Sequence, residues 1–74
     1  MGLDNAKGIE KAFSTLLDRK RRLESNIEIF ELMVEDIDDP FKRLLRLQQL
    51  QEYVARLEET QYALEQLATL RRAL

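Results

Sequence analysis

Apolar residues from Ile9 to Ile37 recur at alternating steps of four and three: Ile9, Phe13, Leu16, then Lys20, then Leu23, Ile27, Phe30, Val34 and Ile37. That is a heptad seam, with Phe13, Lys20, Ile27 and Val34 at a and the others at d, interrupted only by Lys20. Asp4 or Asn5 offers a cap at its start, and nothing stops the pattern before Asp38. Ser25-Asn26-Ile27-Glu28 has capping-box spacing, but the seam passes through it without a change of phase, which favours one continuous helix. After Pro40 the repeat resumes, with Leu47, Val54, Gln61 and Ala68 at a and Arg43, Leu50, Leu57, Leu64 and Arg71 at d. The pattern predicts two long helices over about residues 5–38 and 40–73, with a turn at 37–40, in one all-α domain spanning 1–74.

Antiparallel partners in a hairpin have residue numbers with a constant sum. Pairing a with d gives 34 with 43, 27 with 50, 20 with 57 and 9 with 68, all summing to 77, which centres the turn between Asp38 and Asp39. The centre coincides with the Asp-Asp-Pro break and supports a helical hairpin over its rival, a single Pro-kinked helix about twice as long. In this register Lys20 faces a Leu and reaches toward Glu58. Ala12, Leu17 and Met33 widen the apolar stripe of the first helix, and Leu44, Tyr53 and Leu67 that of the second. A stripe that wide suits a bundle better than a two-stranded coil, so the expected assembly is a homodimer of hairpins forming a four-helix bundle.

Composition points the same way. Seventy-four residues is close to the size at which one chain struggles to bury enough apolar surface, and with no Cys and no His the usual staples of small proteins are missing. The net charge of −2 singles out no partner class, but its distribution is uneven. Residues 1–27 and 40–74 each carry six basic and four acidic groups, whereas residues 28–39 carry six acidic and none basic. Two antiparallel hairpins would set that acidic turn beside Lys7, Lys11, Arg71 and Arg72 of the partner. No apolar run approaches the length of a membrane span or a signal-peptide core, so a soluble, cytoplasmic chain with no membrane partner is expected.

Chemistry finds little purchase. With no His, Cys or Gly-rich phosphate loop, and no base beside Ser14, Thr15 or Ser25, no catalytic residue and no cofactor site is expected. The acids around 35–39 lack the loop Gly and terminal Glu of a calcium hand, so no metal site is expected; Asp39 reads as an N-cap with Pro40 at N1. Glu35 and Asp36 are the oddity, because they end a helix where its dipole disfavours anions.

Two surface candidates remain. Ile29 and Leu32 lie opposite the first seam, and Phe41 and Leu45 are off the second, so with Glu35 and Asp36 they form a candidate partner-binding patch at the turn end. Arg19, Arg21 and Arg22 form a basic run that suggests the alternative, a nucleic-acid contact; their neighbours Asp18 and Glu24 favour a solvated, salt-bridged face. In topology alone, with no residue motif matched, the two-helix reading is similar to Rop-type plasmid copy-number regulators, antiparallel dimers of helical hairpins that bind paired RNA loops. The first functional expectation is a protein–protein interaction module (a small adaptor, chaperone-like subunit or assembly factor) whose partners are a second copy and another protein. A small RNA- or DNA-binding regulator of the same architecture is the alternative.

Overall fold

The computed structural model describes residues 2–73, with side chains from Ala6 to Ala73. It is an antiparallel hairpin of two helices, α1 (Gly2–Glu35) and α2 (Pro40–Ala73), each 34 residues long. The rod measures 57 × 14 × 13 Å, about the length of one such helix at 1.5 Å per residue, so the chain folds back and the single kinked helix is excluded. α1 runs unbroken through Ser25–Glu28. It begins ahead of the expected cap at Asp4 or Asn5, whose side chains lie outside the described set.

α1 ends at Glu35, three residues sooner than the seam suggests. Its last carbonyls close by tighter bonds, the Asp36 N–H donating to the Met33 carbonyl at 3.2 Å and the Ile37 N–H to that of Val34 at 3.3 Å. Pro40 pushes the residue before it out of the helical region, so the chain must leave the helix before Asp39. Asp39 then opens α2: its Oδ1 accepts the Phe41 N–H at 2.9 Å, and its carbonyl accepts the Arg43 N–H at 2.9 Å. That is an N-cap with Pro at N1, as the sequence predicts.

All eight seam positions of α1 from Ile9 to Val34 turn inward, with Leu23 and Val34 buried, and Ile37 beyond its end is half-buried too. In α2 the d residues Leu50, Leu57 and Leu64 also turn inward, but the expected a residues do not lead the seam. Leu47, Val54 and Gln61 are exposed while Ala68 is half-buried as expected, and Tyr53, Thr60 and Leu67 take inner positions. The helices are also slid along one another. Phe30 stacks on Tyr53 with ring centroids 5.1 Å apart, a pair summing to 83, and Glu10 meets Arg71 at 3.3 Å, summing to 81, where 77 was expected. A change of four to six in that sum is a slide of roughly 6–9 Å at 1.5 Å per residue.

The physical reasons are local. The non-helical residues 37–39 carry the chain on past the end of α1 before α2 starts back, since extended backbone advances about 3.3 Å per residue. Tyr53 also offers more apolar surface than Val54. Thr60, only 4% exposed, satisfies its hydroxyl by donating to the Arg56 carbonyl at 2.8 Å, which a buried Gln61 amide could not do so simply. Lys20, half-buried on the seam, lies 4.0 Å from Glu24 of its own helix rather than reaching Glu58. Arg43 and Arg71, expected at d, are exposed.

Candidate functional site

The slide leaves the start of α2 without cover. Every residue from Phe41 to Gln49 is exposed, although four of them are Phe or Leu. Opposite them, the last turns of α1 turn Ile29, Leu32 and Met33 outward, because the seam claims Phe30, Val34 and Ile37. The four apolar residues expected at a partner patch are all exposed: Ile29 at 55%, Leu32 at 60%, Phe41 at 69% and Leu45 at 47%. Of the ten large apolar side chains exposed on the described chain, seven fall between residues 29 and 47, so the surface is lopsided rather than evenly greasy.

An open groove of about 730 Å³ runs between the end of α1 and the start of α2. Met33 and Ile37 wall one side, Lys42, Leu45, Gln48 and Gln49 the other, and Arg46 and Glu52 complete it. Ile29 lies one turn from Met33, and Phe41 one turn from Leu45, so each extends its own wall along the same helix face. The sequence pattern places Met33 and Leu44 beside the seam and Leu47 on it; all three belong instead to the exposed apolar end. The signal that could have found them is the fit of Phe30 to Tyr53, which sets the slide.

Charge at this end is separated by helix. α1 has no basic residue in its last turn, and Glu35 and Asp36 are exposed there. α2 has no acidic residue in its first turn, which carries Lys42 and Arg43 and is followed by Arg46. Both sets oppose the dipole of the helix that carries them. The ion pairs among the described residues are Lys20–Glu24, Asp18–Arg21 and Glu10–Arg71, none of them at the turn. Arg46 donates instead to the Gln49 side-chain oxygen at 2.9 Å. Among the described residues no three acidic side chains converge as a metal-ion site, and the Asp39 carboxylate is engaged as a cap.

The basic run is spread out. Arg19, Arg21 and Arg22 are all exposed, but consecutive helical residues diverge by about 100°, so only Arg19 and Arg22 share a face. Arg21 lies 4.0 Å from Asp18. At the far end Arg71 is occupied within the chain, its guanidinium 4.8 Å from the Phe13 ring centroid while also meeting Glu10.

Fold and surface together define an all-α helical hairpin with an open apolar end, and no described helix is long and apolar enough to cross a membrane. No family model, no curated protein and no solved structure matches the chain.

Proposed function

We propose that this hairpin is a non-enzymatic, self-associating protein–protein interaction module, of the kind that serves as a small adaptor, chaperone-like subunit or assembly factor. The observation that carries the reading is surface area. A folded monomer of this mass exposes about 4,800 Å², whereas the hairpin exposes 6073 Å² and, among the described residues, buries only Leu23, Val34 and Leu64 of its apolar side chains. The excess of about 1,300 Å² belongs to the rod as a whole, but the large apolar side chains exposed on it gather at one end, as they do at an association site.

The test is a pair of measurements on the wild type and on the double variant Ile29→Glu, Leu32→Glu. Light scattering should give the wild type a mass at least twice 8.8 kDa, and the variant should keep its helical circular dichroism while its mass falls to that of a monomer. A wild-type monomer at high micromolar concentration would count against self-association. Loss of helicity in the variant would show that these residues are core rather than docking surface.

The nucleic-acid alternative rests on the exposed pair Arg19 and Arg22, with Arg21 turned toward Asp18. Retention on RNA or DNA that falls steeply as salt is raised, and that Arg19→Ala with Arg22→Ala abolishes, would put it in first place.

A further inference from the structure

We propose that the turn end is the docking site for a second copy of this chain, bound turn beside turn about a two-fold axis running along the hairpin. The α1 end of each copy then lies on the α2 start of the other. The inference rests on the self-association reading and adds its surface and its orientation.

Three observations carry it. Among the described residues the apolar surface is concentrated at one end: the groove walled by Met33, Ile37 and Leu45, extended by Ile29 and Phe41, has Leu70 as its large exposed apolar counterpart near the termini. An antiparallel pair lying full length would place that end against the terminal one, which offers the acidic turn Lys7, Lys11 and Arg72, with Arg71 already held by Glu10 and Phe13, but offers less apolar surface among the described residues. Turn beside turn, apolar meets apolar.

The second observation is charge. Glu31, Glu35 and Asp36 lie at the end of one helix while Lys42, Arg43 and Arg46 begin the next, with Asp38 and Asp39 in the turn between them, and none of these makes an ion pair among the described residues. Each set also sits against its own helix dipole. A two-fold along the rod sets the acidic helix end of one copy against the basic helix start of the other, twice over, and relieves both. The opposite arrangement, α1 on α1 and α2 on α2, sets like on like.

The third is area. A specific interface takes about 800 Å² from each partner, and a rod that exposes 6073 Å² with seven large apolar side chains between residues 29 and 47 has surface of that kind to give. An isologous two-fold contact also closes after two copies, so the exposed apolar end is covered without open-ended growth.

The chain contains no cysteine, so single substitutions Asp38→Cys at the turn and Arg72→Cys near the terminus give unambiguous spin-labelling sites, both exposed. In the proposed dimer each labelled variant should show a short intermolecular distance, within about 30 Å, because packed helices lie only 8–10 Å apart. A full-length antiparallel dimer would separate both label pairs by roughly 50 Å, the length of a 34-residue helix, and would overturn the orientation while leaving self-association standing. A short distance at Asp38→Cys with none measurable at Arg72→Cys would mean antiparallel hairpins overlapping only at their turns, and would overturn it too. No intermolecular signal, with a monomer mass, would sink the self-association reading itself. As a second measurement, Lys42→Glu with Arg46→Glu should weaken the dimer about tenfold at low salt, and adding Glu31→Lys and Glu35→Lys should restore it. Failure of that rescue with short distances at both labels would remove the charge pairing.

Discussion

At the scale of single residues, the most informative pair is Thr60 and Gln61. The heptad pattern puts Gln61 on the seam, and the structure puts Thr60 there, 4% exposed with its hydroxyl returned to the Arg56 carbonyl. One substitution at each position tells the two apart. Thr60→Asp brings an unpaired carboxylate between the helices and should cost at least ~2 kcal/mol. Gln61→Asp on the solvated side should change stability by no more than ~0.5 kcal/mol. Urea unfolding of both variants reads the difference directly, and a reversed ranking would return the seam to the register of the simple heptad. Asp39 needs no such arbitration, because the turn chemistry was complete in the sequence: a short acidic side chain before a proline caps the helix that proline begins.

At the scale of the helices, legibility follows from what each signal depends on. Existence, direction and the inner face of α1 depend on periodicity within one stretch, and nine consecutive seam positions from Ile9 to Ile37 carry it. The inner face of α2 is less clear because two stripes compete: Leu50, Leu57 and Leu64 belong to both, and either Leu47, Val54 and Ala68 or Tyr53 and Leu67 can complete the set. Periodicity cannot choose between them. The choice depends on side-chain fit to the other helix and on how far residues 37–39 carry the chain, neither of which is a property of the helix itself. The same gap hid part of the candidate site, since Leu47 is exposed only because α2 is turned and slid, whereas Ile29 and Leu32 could be assigned to the outer face from α1 alone. A double-mutant cycle tests the slide. Phe30→Ala and Tyr53→Ala should show a coupling of about 0.5–1.5 kcal/mol, as stacked aromatic rings do. Phe30→Ala with Leu47→Ala, the pair that sums to 77, should be additive within ~0.5 kcal/mol.

For the whole molecule, the same shortage of buried surface that marks the docking end also sets how stability must behave. Among the described residues three apolar side chains are buried, no cysteine is present to staple the hairpin, and a chain of this size on two helices has no enclosed core. If the hairpin self-associates as proposed, cover for the turn end is part of what holds the helices together, because Phe41, Leu44 and Leu45 are exposed on the single chain. Folding linked in this way to association obeys mass action. A hundredfold rise in protein concentration favours the folded dimer by about 2.7 kcal/mol, which should move the urea midpoint upward by between about 1 and 2 M for a protein of this size. Ile29→Glu with Leu32→Glu should lower the midpoint and flatten its dependence on concentration together, since one surface serves both. A wild-type midpoint that stays fixed across that range would mean that the seam from Leu23 to Val34 and Leu64 suffices for one chain alone. The apolar end would then have to be a surface kept for a different protein.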